Sequence, residues 1–467
     1  MVGRAVHLAL EHSLDPLFYV YPPLAFYIFG IAEELLSLLP GQHLGPATQV
    51  DPIYEVLVAR LTSAASFVLA TGLLYRIGKR MRGRAAGLIA ASLFAVAPLA
   101  VRQAHFATTD MLATFLLTVV LWSGLAASSR RGFLLAGALC GLAAATKYTS
   151  GVAIFYLLVL ALSSEDRVWS VGSVLAGAAA AFAAPLLLAA PPDRYLEGLR
   201  FLAGRSAEAQ GSLPIGLIYH PTHSLPVGLG LGSYLLCLAG GAVALARRRP
   251  ADLALASFLC AYLLVVGFSH EVFFRYALPM LPALCLFAGA VTDLASTPRR
   301  MAIAVAAAAL LLVPSTIDSG LSDRLLSTTD TRALAAAWLE RHAPPGSDLE
   351  ITSYWAEPYY DDAAVARRPL HPLYLTGNPI ADSFQLGRFT PIFVVNQPAP
   401  RCYRLATSGP PWQSPLPMGG SATFKAFSGS PPPSFGYDPL DAFYLPLTGL
   451  SGIDRPGPSI AISEGCQ

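Results

Sequence analysis

Asp110, in the stretch HFATTDMLAT, is an acid set between two long apolar runs. Few other residues in such surroundings could do chemistry. They are Lys147 and Tyr148 in TKYTSG, Arg275 and Tyr276 in FFRYALPMLP, His105 just before Asp110, Arg60 near the start of a span, and Tyr21 of YPPL. The segment 191–223 adds Arg194, Arg200, Arg205, His220 and His223. Ionisable groups near a membrane interior are costly and usually serve a site. One acid with several cations suits a phosphorylated, membrane-borne substrate: the cations hold the phosphate and stabilise it as it leaves, and the acid accepts a proton from an attacking hydroxyl.

Each residue also has a plainer reading. Asp110 could be a solvated acid at a helix start, where the macrodipole favours it, with Thr108 or Thr109 as cap. Lys147 could snorkel to the interface. Arg275 could be an interfacial anchor, Arg60 could pair with Glu55, and YPPL could simply open a helix with proline in its first turn. His220 and His223 are three apart, but Pro221 between them argues against a helix and so against a metal pair.

The elements that must position these residues are membrane spans. The chain has 467 residues, of which 54% are hydrophobic and only 13% charged, with a mean hydropathy of +0.53; a soluble domain carries about 25% charged residues. A polytopic all-α membrane protein is therefore expected, with room for one further domain. Stretches near the roughly 20 residues needed to cross hydrocarbon place ten candidate spans at about 55–78, 84–103, 109–127, 132–146, 150–163, 168–190, 224–246, 252–268, 275–294 and 301–318. The fourth and fifth are short and fit only as helices flanked by protein.

The clusters at 76–84, 128–131, 247–249 and 297–300 are rich in lysine and arginine. The positive-inside rule makes them cytoplasmic, and the ten spans put all four on one side. The connections bearing Asp110, Lys147 and Arg275, and the tail from about 319, then lie outside. Segment 22–40 has a span's length but contains Glu33 and Glu34. Counting it as a crossing would invert every positive cluster, so it reads as a helix in the outer interface.

The expected organisation is a membrane part, 1–318, with 1–54 as a partial outer loop carrying the interfacial helix, and a small C-terminal α/β domain, 319–467. In the latter, DTRALAAAWLERHAPPGSDLEITSY reads as a helix, a Pro-Pro-Gly stop and a strand. PIFVVN and SIAIS read as further strands, and 408–439 as loop.

Four of six cysteines, Cys140, Cys237, Cys260 and Cys285, lie in apolar runs; Cys402 and Cys466 could form a disulfide in an oxidising compartment. No CxxC, HExxH or Walker A motif occurs, nor a GxGxxG in a strand-to-helix context, so nothing proposes a zinc protease, an NTPase or a Rossmann enzyme. The net charge of +2 names no partner, and no nucleic acid is expected. Residues 1–16 lack the apolar region of a signal peptide.

At these residues the chain resembles the polyprenyl-phosphate-sugar-dependent glycosyltransferases of the C-type membrane fold (GT-C). It is most similar to the family of protein O-mannosyltransferases and aminoarabinose transferases. The matching stretches are DPLFYVYPPLAFYIFG, the run from RLTSAASFVLATGLL to HFATTDMLATFLL, GLAAATKYTSG and FRYALPMLP. The tail DPLDAFYLPLTGLSGIDRPGP is similar to the ends of bacterial members with an extracytoplasmic C-terminal domain.

The resemblance implies inverting transfer of a sugar from a polyprenyl-phosphate donor to a protein, lipid or glycan acceptor at the outer face of the plasma (inner) membrane. It implies no certain cofactor and leaves room for a divalent metal. It makes Asp110 the acid of the second outer loop and a catalytic candidate. Lys147 becomes the lysine near the lipid phosphate, joined by Arg275 and Tyr276 as donor-phosphate residues. His105, Tyr148, Arg60 and Tyr21 would line the cavity.

One feature departs from the family. Members have a first span and then an outer loop opening on an acidic pair that holds the main base, and MVGRAVHLALEHSLDPLFYVYPPL aligns just after that pair. The expectation is that both lie upstream of Met1, or that the chain is a truncated or inactive relative. A non-catalytic transporter or lipid-binding membrane protein is the competing class. Transporters carry matched broken helices in two halves, whereas only one interruption, at 147–151, is clear here.

Overall fold

A computed structural model describes residues 2–38, 53–207, 216–269, 272–344, 347–351, 371–374, 402–407, 422–424, 445–457 and 459–464. The chain divides into two compact units, 1–42 with 55–319, and 43–54 with 320–467.

Among the described residues the first unit is all helix. It opens with α1 (Val2–Glu11) and α2 (Leu24–Ser37). Helix α1 has no forecast in the sequence reading. Its Ala5 packs with Ala25 and Phe29 of α2 and with Ala59 and Leu112 further along the chain. The α2 helix falls within the segment read as interfacial, and it splits its two acids: Glu33 is fully buried and Glu34 is exposed.

Then come α3 (Ile53–Arg82), α4 (Arg84–Ala95), α5 (Pro98–Ala104), α6 (Thr109–Ala126), α7 (Arg130–Thr146), a 3-10 segment (Tyr148–Ala153) running into α8 (Ile154–Leu162), α9 (Arg167–Ala189) and α10 (Pro192–Ala207). Segment 191–223, read as a loop, therefore holds a helix. After it α11 (Gly216–Tyr219) runs through a π turn (His220–Ser224) into α12 (Leu225–Leu229), followed by α13 (Leu231–Arg247) and α14 (Pro250–Gly267). The unit closes with a 3-10 segment (Phe274–Met280), α15 (Leu281–Ala288), a 3-10 segment (Gly289–Leu294) and α16 (Pro298–Leu326).

Several expected spans change shape. The span at 84–103 is two helices bent by 61°, because the residue before Pro98 is pushed out of helical geometry; Ala97 is extended, with ψ 117°. The span at 224–246 bends by 115° at Gly230, whose φ of +81° only glycine adopts at no cost. Pro221 does not prevent a helix there. It sits at the start of the π turn, and proline is tolerated in the first turn of a helical segment, where its missing N–H is not needed.

Among the described residues six helices are long and apolar enough to cross a membrane, or eight if each bent pair counts as one span. The other two of the ten expected spans are α7, with 17 residues, and Tyr148–Leu162. Both fall short of about 20 residues.

The short α7 is held by protein. A Cβ on Gly137 or Gly141 would sit 2.2 Å from Val174 O or 2.3 Å from Ala178 O, and one on Gly177 would sit 2.2 Å from Leu134 O. Helices α7 and α9 thus touch backbone to backbone, as small residues allow where lipid supplies no hydrophobic drive. Phe274–Leu294 has the largest buried share of the candidate spans and lies innermost.

Two of the basic clusters, 76–84 and 247–249, meet through shared acids. Arg82 pairs with Asp252 and, at 3.2 Å, with Asp293, which also takes Arg249 at 3.3 Å. The guanidinium groups of Arg76 and Arg80 lie over Trp122 of α6.

In the second unit α17 (Thr331–His342) begins at Asp330, whose carboxylate accepts from Arg332 N. Among the described residues five short strands follow: β1 (Asp348–Ile351), β2 (His371–Tyr374), β3 (Cys402–Thr407), β4 (Ala422–Phe424) and β5 (Ile460–Glu464). They pair in the order β2-β1-β3-β5-β4, parallel for β1 with β2 and β3 and antiparallel for β5 with β3 and β4. Ala335 and Leu339 of α17 pack on Ile460 and Ile462. The helix, the strand after the proline stop and the strand at SIAIS occur as read. Strand β4 falls inside the segment read as loop. PIFVVN and Cys466, and with it the Cys402–Cys466 disulfide, lie outside the described residues.

Candidate functional site

Asp110 stands in the first turn of α6 and Lys147 is the residue that ends α7. The extended backbone of Lys147, φ −152° and ψ 121°, turns its side chain off the α7 axis, and its Nζ donates to Asp110 Oδ1 at 2.5 Å. Both are buried, Asp110 at 4% and Lys147 at 7% exposure. That excludes a solvated helix-start acid and a snorkelling lysine. Thr108 is the cap position of α6, but its hydroxyl makes no capping bond, so the N-terminal charge of the helix is answered by Asp110 itself.

Burial opposes the Lys147 charge, but Asp110, then Tyr262 and Tyr21, favour it, and the balance holds its pKa above the ordinary lysine value. Tyr276 lies under the ammonium, 5.4 Å from Nζ to ring centroid. Arg275 is near enough to act electrostatically on Asp110, and its guanidinium packs 3.9 Å over the Phe273 ring. A short 3-10 segment makes this arrangement: Tyr276 N donates to Phe273 O at 3.0 Å, which folds Arg275 and Tyr276 back beside Phe273 at the end of the innermost span.

Asp110, Lys147, Arg275, Tyr276 and Tyr21 are thus brought together. The other expected cavity residues are less engaged. Tyr148 follows Lys147, with its ring edge-on to Phe182 at 6.3 Å and its buried hydroxyl without a hydrogen-bond partner among the described residues. His105 uses Nδ1 on Val101 O at 2.9 Å. Arg60 is exposed on α3, and no described contact ties it to Asp110 or Lys147; the Glu55 side chain lies outside the described residues. Arg194 acts on Tyr19 instead.

His220 is buried, its Nδ1 2.9 Å from Ser224 Oγ, and His223 stacks on Tyr219 at 5.1 Å. Among the described residues no group of three or more His, Cys, Asp or Glu could hold a metal ion. A cleft of about 420 Å³ is lined by Ser128, Ser129, Arg130, Asp166 and Ser170. Its charged pair, Arg130 with Asp166, is more than half exposed and it includes neither Asp110 nor Lys147.

Sequence reading missed Tyr262. It is fully buried on α14, and its hydroxyl donates to Thr149 Oγ1 at 3.5 Å beside Lys147. The available signal was a lone tyrosine in an apolar span, since a buried phenol needs a partner.

Residues 55–191 match the family model described as dolichyl-phosphate-mannose-protein mannosyltransferase. Among curated proteins none matches the sequence. In three dimensions the chain is similar to ArnT from Cupriavidus metallidurans in the apo state, with a TM-score of 0.56 at 15% identity over 86% of this chain and 87% of that one. It is also similar to the same protein bound to undecaprenyl phosphate, with a TM-score of 0.54 at 17% identity over the same shares. The resemblance read from the sequence thus holds at both levels: residues 55–191 carry the mannosyltransferase family match, and the chain has the C-type membrane glycosyltransferase fold shared with ArnT.

Proposed function

We propose that this integral membrane protein transfers a glycosyl group, with inversion, from a polyprenyl-phosphate-linked sugar to an acceptor hydroxyl of a protein, lipid or glycan. The observation that carries this reading is the buried Asp110–Lys147 pair with Arg275 and Tyr276 beside it, drawn from three distant parts of the chain. The family match over residues 55–191 and the fold shared with a protein that binds undecaprenyl phosphate support it.

In this reading Lys147 and Arg275 bind the donor phosphate and Tyr276 packs against both. The negative charge of the donor's phosphodiester draws Lys147 from Asp110, freeing its carboxylate. As the acceptor oxygen bonds to the anomeric carbon, the bond from that carbon to the phosphate oxygen breaks. Its electron pair leaves on polyprenyl phosphate, stabilised by the two cations, and the acceptor proton passes to a carboxylate. Attack opposite the leaving group inverts the centre.

The site belongs to the outer face, because Arg76 and Arg80 lie against Trp122, at the other end of α6 from Asp110, and lysine and arginine favour the cytoplasm. The membrane is the plasma (inner) membrane, and unit 320–467 is extracytoplasmic and selects the acceptor.

The test uses the full chain in lipid nanodiscs with radiolabelled polyprenyl-phosphate hexose and pentose donors and detects released polyprenyl phosphate. Release that requires Asp110 and Lys147 is expected. Saturable binding of undecaprenyl phosphate with no release from any donor would replace this proposal with a lipid-binding function.

A further inference from the structure

Along α3 the residues Leu61, Ala65, Val68, Leu69, Gly72, Arg76, Lys79 and Arg80 are all exposed. Their spacing of three and four residues makes them one continuous stripe. It is apolar for three turns and cationic at its end. Leu61, Val68 and Leu69 are 58%, 65% and 56% exposed. At Gly72 a Cβ would meet nothing within 4 Å, which leaves a shallow notch one turn before Arg76.

The cations at the end of the stripe differ from their neighbour Arg82, whose charge is spent internally on Asp252 and Asp293. Among the described residues neither Arg76, Lys79 nor Arg80 takes an ion pair. The Arg76 and Arg80 guanidinium carbons lie 5.7 and 5.8 Å from the centroid of the half-buried Trp122 ring on α6. Two cations one turn apart, steered onto one indole, form a fork that presents N–H donors to an anion.

We infer that this face is a binding site for one anionic phospholipid, with its headgroup phosphate held by Arg76 and Arg80 beside Trp122 and an acyl chain lying along Leu61 to Gly72. The stripe has a lipid's polarity order: apolar over the hydrocarbon depth, then positive charge where headgroups sit. The occupant bridges α3 to α6, the helix that carries Asp110. This site stands at the opposite end of α6 from Asp110 and does not depend on the proposed transfer reaction.

Native mass spectrometry of the full chain, titrated with phosphatidylglycerol or phosphatidylcholine, tests this. Phosphatidylglycerol should be retained and phosphatidylcholine should not. The pair Arg76→Gln/Arg80→Gln should weaken retention on the order of tenfold, and Arg299→Gln/Arg300→Gln, exposed cations of another cluster, should not. Gly72→Phe, which fills the notch without changing charge, should also weaken it and decides the matter if the double variant fails to fold. Equal retention of both lipids, equal loss in both arginine pairs, or no loss with Gly72→Phe would overturn the site.

Discussion

Lys147 Nζ and Asp110 Oδ1 form a buried ion pair across 37 positions of sequence. Neither charge is placed there for stability. Exchanging a buried pair for apolar residues of like volume is often neutral, whereas removing one partner strands the other charge and costs about 3–5 kcal/mol. The pair is therefore the sensitive point of the candidate site, and single and double variants separate its two roles.

Lys147→Met should lower the unfolding midpoint clearly, by leaving Asp110 unpaired in a buried site. Adding Asp110→Asn should recover much of that loss while transfer stays abolished. Thermal unfolding in detergent and the release assay, run on the same samples, give the comparison. A double variant no more stable than either single one would mean that the pair is not the coupled unit seen here.

Asp110→Asn alone keeps the shape and removes the charge. Transfer should fall by more than about tenfold, within the range expected of a group that moves a proton, with the protein still folded. Unchanged transfer removes Asp110 from the site.

For Lys147→Ala the defect should fall on the donor: kcat/KM for the lipid-phosphate sugar should drop much more than that for the acceptor. A purely acceptor-side defect contradicts a phosphate role.

Tyr262→Phe deletes the hydroxyl that bonds Thr149 Oγ1 and keeps the ring packed against Phe258. As a positioning change it should reduce donor kcat/KM several-fold with little effect on stability, since a neutral hydrogen bond contributes about 1 kcal/mol. A loss of stability with normal kinetics would make Tyr262 a packing residue only.

Orientation is read by a single cysteine at Met81, within the basic cluster, in a cysteine-free background. It should resist a membrane-impermeant thiol reagent in intact cells and react in opened ones. Labelling from outside reverses the proposed topology.

Much of the membrane unit is legible in the sequence because it depends on totals and lengths. Apolar runs mark helices wherever they lie, and lysine and arginine mark one end of them. Bends at Ala97–Pro98 and Gly230 are written in single residues, but Pro221 does not break its helix: whether a proline does so depends on where in the helical turn it falls, which only the fold sets. Glu33 could not be placed from its neighbour, because an interfacial helix and a helix packed against α1 share the same composition. Tyr262 stayed hidden because its partner Thr149 lies 113 positions away.

The sequence alone determined that the chain is a helical membrane protein with a small α/β unit and which rare charges merit suspicion, because hydropathy and charge are local properties. It did not determine which of those charges meet. In apolar spans every face is similarly apolar, so no periodicity announces the partner face. Contact between α6, α7 and the Phe273–Tyr276 corner was decided by tertiary packing, by glycines that bring α7 onto α9 and by the extended turn at Lys147. That packing joined Asp110 to Lys147 and left Arg60 outside.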